Sequence, residues 1–113
     1  MTKEKIEDAL IRIGVPVGNK GFEYIVDAIM ILEEKGNSVS MTKTLYPEIV
    51  MKRKSTPTRV ERNIRHCFEI ARNRKEKCDD VNYYIGFVNL SNSNSLHLLH
   101  LMLKREKEYE NQN

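Results

Sequence analysis

The sequence predicts an all-α domain of about six helices. Apolar residues recur at helical spacing in successive segments, and glycine or proline closes several of them. A length of 113 residues suits one domain with a single core. We therefore expect one helical domain over residues 1–108, followed by a frayed tail over residues 109–113.

Two helices are predicted before residue 38, over Thr2–Ile13 and Gly21–Lys35. Both carry apolar residues at helical spacing, and the second has the broader apolar face. Gly14 and Gly36 suit the position after a helix C-terminus and mark the two ends. Both helices are expected to pack in the core, with acidic residues such as Asp27 directed mostly away from it.

A third helix is predicted over Ser38–Lys54, where Leu45 and Ile49 share an apolar face. Pro47 lies inside it, and an interior proline costs about 3 kcal/mol. We expect either a kink or two short helices that meet at Tyr46-Pro47. The segment ends in three cations, which favour a helix C-terminus.

The next segment, 55–74, is predicted to be the helix around which the rest is organised. One third of its circumference is apolar, through Val60, Ile64, Cys67, Phe68 and Ala71. Its start is marked twice. Thr56-Pro57 fits an N-cap followed by proline, and Thr58–Glu61 fits a capping box one register later.

The opposite face of this helix has the side chains that can read base edges in a DNA major groove. It presents Thr58, Arg59, Arg62 and His66, with Arg65 and Arg72 on one shoulder and Glu61 near the edge. A tight turn joins this helix to the previous one. Two helices in this order fit a helix-turn-helix, whose second helix enters the groove.

Charge is concentrated around the same helix. Residues 52–77 contain ten basic and three acidic side chains, a net charge of +7, which leaves −4 on the remainder. One basic segment on a mildly acidic body is the footprint expected of nucleic-acid binding.

The last third is predicted to contain a short helix closed by Gly86, then an apolar piece, Phe87–Leu90, that can be extended. Ser91–Ser95 is interpreted as a polar loop before a final amphipathic helix over Leu96–Lys107.

Four stretches are similar, in order, to one known family: Ile13–Pro16, Lys20–Tyr24, Thr42–Ile49 and Arg59–His66. Over roughly residues 6–105, the chain resembles the C-terminal DNA-binding effector domain of the stage-zero sporulation response regulator. The resemblance implies about six helices around a helix-turn-helix, a type unrelated to the winged helix. We expect the chain to act without the receiver domain of full-length members, as a stand-alone protein or a fragment.

The resemblance also implies function. Such a domain binds a short box in double-stranded promoter DNA, often as tandem copies, and acts through RNA polymerase and its sigma factor. Arg62 is the best candidate to contact guanine, and Glu61 can accept from cytosine. Arg59, Arg65 and His66 are assigned to phosphates or base edges, and Lys52 and Lys54 of the preceding helix to the DNA backbone. The predicted DNA-binding stretch begins at Thr58.

Other functional classes are disfavoured. There is no Gly-rich phosphate loop, so no enzyme, cofactor or metal is predicted. His97 and His100 are expected to be surface or groove-lining residues, because zinc needs further ligands. The longest apolar run cannot cross a bilayer, and we expect a cytoplasmic protein. The alternative function is a protein-interaction module, or an antagonist of the full-length regulator, that no longer reads DNA.

Overall fold

The computed structural model describes residues 1–112, except for the side chains of residues 75 and 112. Six α-helices and no strand are present in this part of the chain, which confirms the predicted fold class. A turn of π-helix precedes α3, and a 3₁₀ turn precedes α5. The elements in order are α1 Lys3–Ile13, α2 Lys20–Lys35, the π-turn Met41–Leu45, α3 Tyr46–Arg53, α4 Pro57–Arg72, the 3₁₀ turn Lys75–Lys77, α5 Cys78–Tyr84 and α6 Asn92–Gln112.

Helix α2 lies at the centre and packs against α1, α3, α4 and α6. It approaches α4 most closely at Gly21. A Cβ atom on Gly21 would lie 2.4 Å from the carbonyl oxygen of Asn63 and 2.5 Å from Cys67 Sγ. The absence of a side chain at this position therefore allows the two helices to come into backbone contact.

The proline in the third predicted helix, Pro47, lies near the start of α3 and not in a helix interior. The π-turn ends at Leu45, whose amide donates to the Ser40 carbonyl five residues back, and Pro47 is the second residue of α3. Ser40 Oγ accepts a hydrogen bond from the Lys43 amide at 3.1 Å and caps the π-turn. Of the two outcomes predicted at Tyr46-Pro47, a kink or two short helices, the structure is nearer the second, because a turn of π-helix and a short α-helix meet there.

The start of α6 differs from the prediction. The helix begins at Asn92 instead of Leu96, because Ser91 Oγ accepts from the Asn94 amide at 3.1 Å and so acts as its N-cap. Phe87–Leu90 is not a strand, and Asn89 has a left-handed backbone with φ of 53°.

Helix α6 also continues to Gln112, five residues past its predicted end at residue 107. An ion pair at 3.0 Å between Lys5 Nζ and Glu110 Oε1 ties this extension to α1. Residue 113 of the predicted tail lies outside the described residues. The division into a domain of 1–108 and a tail stays a prediction.

Candidate nucleic-acid interface

Helix α4 begins at the first of its two predicted starts. Thr56 has an extended backbone, its Oγ1 accepts a hydrogen bond from the Arg59 amide at 3.2 Å, and Pro57 is the first helical residue. Thr58 is therefore inside the helix and not its cap. This register buries the five apolar residues predicted for the inner face: Val60, Ile64, Cys67, Phe68 and Ala71.

The outer face of α4 is open to solvent over its first turns. Five of the six residues predicted for DNA contact on this helix are exposed, and Glu61 is half-buried at the edge. The structure therefore brings Thr58, Arg59, Glu61, Arg62, Arg65 and His66 together on one surface, which we call the α4 outer face.

The cations of the α4 outer face differ in how far they are neutralised. Arg65 donates to Glu61 Oε1 at 3.0 Å and lies 3.9 Å from a carboxylate oxygen of Glu69. The Arg59 and Arg62 side chains have no hydrogen-bond or ion-pair partner within residues 1–112. Their charges are therefore the ones most available to an external anion.

Lys52 and Lys54 lie at the end of α3 in two different states. Lys54 follows the helix in a left-handed conformation with φ of 52°, and its side chain is exposed and unpaired among the described residues. Lys52 Nζ lies 3.1 Å from Asp27 Oδ1, although the lysine side chain remains 63% exposed. Lys54 is thus the freer of the two for a phosphate.

Asp27 is buried, which corrects the expectation that it points away from the core. It is 4% exposed, on the side of α2 that faces α3. Arg53 donates to both of its carboxylate oxygens, and this hydrogen bonding raises the pKa of Arg53. Sequence analysis missed this pair, although the run of cations ending α3 was a signal for a buried acid.

The turn between α3 and α4 spans residues 54–56 and is held by a hydrogen bond from α2. Tyr24 of α2 donates its hydroxyl to Ser55 Oγ at 3.1 Å, and the Ser55 amide donates to the carbonyl of Val50 at 3.1 Å. The direction in which α4 leaves the turn is therefore set by the core helix α2.

Comparison with known families gives a match. A family model described as "Sporulation initiation factor Spo0A C terminal" matches residues 6–103. The chain belongs to this family. It is a DNA-binding effector domain of the sporulation-regulator type, in a family of DNA-binding regulatory domains and not of enzymes. The resemblance noted in the sequence is confirmed.

Not every basic residue of this Spo0A C-terminal-type domain faces outward. Arg72 was predicted on the shoulder of the α4 outer face. Its guanidinium instead donates to the carbonyls of Gly86 and Ile85 and to Ser95 Oγ, at 2.8–3.1 Å. Burial lowers the pKa of Arg72. This arginine holds the connection between α5 and α6 and is not available to DNA.

The two histidines of α6 both contact Asn37, the second residue after the end of α2. His97 lies between the backbone carbonyls of Ser93 and Asn37, at 2.7 and 3.2 Å. His100 is 3% exposed and lies 3.1 Å from both Asn37 Oδ1 and Glu33 Oε1. The expected surface position is therefore wrong for His100, which joins α6 to α2.

No group of three or more His, Cys, Asp or Glu side chains within residues 1–112 is placed to hold a metal ion. None of the six helices combines the length and the apolar character that a membrane span requires.

Proposed function

We propose that this domain is a sequence-specific transcriptional regulator whose helix α4 reads a short promoter box in double-stranded DNA. The observation that carries the proposal is the pair Arg59 and Arg62, exposed and unpaired among the described residues on the outward face of α4. Helices α3 and α4 would act as a helix-turn-helix, with α3 crossing the DNA backbone and α4 in the major groove.

Within this arrangement, Arg62 would donate both guanidinium arms to the O6 and N7 atoms of one guanine. Glu61 would accept from a cytosine amino group, which requires its bond to Arg65 to open or to be shared. Arg65 would then be free for a phosphate.

The other predicted contacts mainly fix the position of the domain on the duplex. Arg59 and His66 would bind phosphates or base edges beside Arg62. Lys52, Lys54 and Thr58 would fix the register on the backbone. Because Lys52 also pairs with Asp27, we expect Lys54 to make the larger electrostatic contribution.

The partners proposed from the family are promoter DNA, a sigma factor of RNA polymerase, and a second copy bound in tandem on the same duplex. The proposed location is the cytoplasm, where promoter DNA is available. None of these roles requires a cofactor.

The test is a binding titration at physiological salt. The probes are the duplex that the protein selects from a random DNA library and a scrambled duplex of equal length. A Kd at least about a hundredfold lower for the selected duplex is expected, near the range of sequence-specific readers. Equal weak binding to every duplex would contradict the proposal and favour a protein-interaction module instead.

A further inference from the structure

A buried side-chain bridge connects the first residue of α6 to the backbone of α4 beneath its outer face. Asn92 Nδ2 donates to the main-chain carbonyl of Glu61 at 3.0 Å and to the hydroxyl of Tyr46, the first residue of α3, at 3.3 Å. Both Asn92 and Tyr46 are 8% exposed. Three helices of the domain therefore meet at one amide group.

The chemistry of the partners fixes the orientation of this amide. A main-chain carbonyl can only accept, so the nitrogen of Asn92 must face Glu61. The other end of the amide, Asn92 Oδ1, is buried without a hydrogen-bond partner in the described part of the chain. A buried acceptor without a partner is unfavourable and offsets part of what the two donated hydrogen bonds contribute to stability. The two bonds are directional, so the amide fixes where α6 lies relative to the Glu61 carbonyl and the Tyr46 hydroxyl.

We propose that Asn92 is a positioning residue that sets the depth at which α4 presents its base-reading side chains. This inference rests on the proposed function. The Glu61 carbonyl immediately precedes Arg62, the candidate for guanine contact, and lies at the centre of the stretch from residue 58 to residue 66. A displacement of the backbone here would move every base-reading group together.

Helix α6 is suited to serve as the fixed support. Leu96, Leu99 and Leu103 anchor it in the core, and Ser95 accepts a hydrogen bond from Arg72 at the far end of α4. Base contacts tolerate errors of only about 0.5 Å, whereas phosphate contacts carry no sequence information and tolerate more. Loss of the Asn92 bridge should therefore weaken specific binding selectively.

The test variant is Asn92→Leu, which keeps the size of the side chain and removes the donor. Its Kd is measured for the duplex selected by the wild-type protein and for a scrambled duplex. We expect about a tenfold weaker affinity for the selected duplex and an unchanged affinity for the scrambled one. Urea unfolding of the same variant verifies that it is folded under the conditions of the binding titration.

Asn94→Ala is the matched control. It removes a hydrogen bond at 3.0 Å from Asn94 Nδ2 to the Asn89 carbonyl, in the same turn of α6, and this bond does not involve α4. It should bind both duplexes as the wild type does. Asn92→Asp, which replaces the donor with an oxygen facing the Glu61 carbonyl, should lose specificity in the same way as Asn92→Leu.

The inference would be overturned if Asn92→Leu kept the wild-type ratio of affinities, or lost affinity equally for both duplexes. If Asn92→Leu does not fold, the same ratio of Kd values for the two duplexes is measured with Asn92→Asp, and it decides the question. Failure of both to fold would make the bridge purely structural. If the wild type itself shows no preference among duplexes, the proposed function fails and this inference fails with it.

Discussion

Arg53 binds the buried carboxylate of Asp27 with two hydrogen bonds, from Nε to Oδ2 at 2.7 Å and from Nη2 to Oδ1 at 3.0 Å. The pair joins the end of α3 to the middle of α2. It therefore fixes α3, and through the following turn the start of α4, relative to the core. The cation closest to the predicted DNA-binding lysines has an internal structural role.

Breaking this pair should be costly. Arg53→Met leaves Asp27 buried with only the exposed Lys52 as a partner, and we expect a loss of roughly 2–4 kcal/mol in the free energy of unfolding. The double variant Asp27→Leu with Arg53→Met should recover most of that loss. Urea unfolding followed by circular dichroism measures both.

Lys52→Met is the control for this pair, because it removes a cation that is mostly exposed. We expect a loss below about 1 kcal/mol. If the double variant Asp27→Leu with Arg53→Met were as unstable as Arg53→Met alone, the unpaired buried carboxylate would not be the cause of the loss.

Gly21→Ala should destabilise the domain by forcing α2 and α4 apart. The added Cβ would lie 2.4 Å from the Asn63 carbonyl oxygen, and backbone cannot move aside as a flexible side chain does. We expect a loss of about 1–3 kcal/mol in urea unfolding. Gly18→Ala is the control, since nothing lies within 4 Å of its Cβ position. Equal stability of the two variants would rule out the close helix contact.

Arg62→Ala and Lys54→Ala should separate base reading from backbone binding. Without Arg62, the selected duplex should bind about 1–3 kcal/mol more weakly, while the scrambled duplex changes little. Without Lys54, both duplexes should bind more weakly, and the slope of log K against log salt should fall by about one. Uniform weakening by Arg62→Ala would refute its base-reading role.

The two cysteines should differ sharply in reactivity. Cys67 is fully buried against α2, and burial raises the pKa of its thiol to about 11, whereas Cys78 is exposed. Because the thiolate is the reactive form, iodoacetamide should alkylate only Cys78 in the native protein. Mass spectrometry after short exposure measures this, and both thiols should react in denaturant. Rapid native alkylation of Cys67 would be inconsistent with its position in the core.

Glu33 should make stability depend on acid pH. The hydrogen bond with His100 holds the pKa of the Glu33 carboxyl below its ordinary value of 4.5, against the opposing effect of burial. A lowered native pKa contributes stability above the ordinary value, and this is lost as the pH falls through the native pKa. Glu33→Gln should therefore cost about 1–2 kcal/mol at pH 7.

The difference in unfolding free energy between the wild type and Glu33→Gln should shrink as the pH is lowered below 4.5. Urea midpoints measured across the acid range follow this difference. A difference that stays constant with pH would mean that the Glu33 charge contributes nothing to stability.

Much of α4 follows from sequence alone because its determinants are local. The buried stripe from Val60 to Ala71 follows from helical spacing, and Thr56-Pro57 supplies one of two possible starts. The choice between those starts needed the observed bond from the Arg59 amide to Thr56 Oγ1. The early start of α6 was missed because Ser91 was grouped with a polar loop, although its side chain is the cap.

The sequence by itself determined an all-helical domain, the inner and outer faces of α4, and the family to which the chain belongs. Only the tertiary structure decided which cations are free. Arg53, Arg62 and Arg72 all lie in the basic segment 52–77, but two of them bond to groups 13 or more residues away, at Asp27 and at the Ile85 and Gly86 carbonyls. Such partners depend on how helices pack, because a long side chain can reach any group that the fold brings near it.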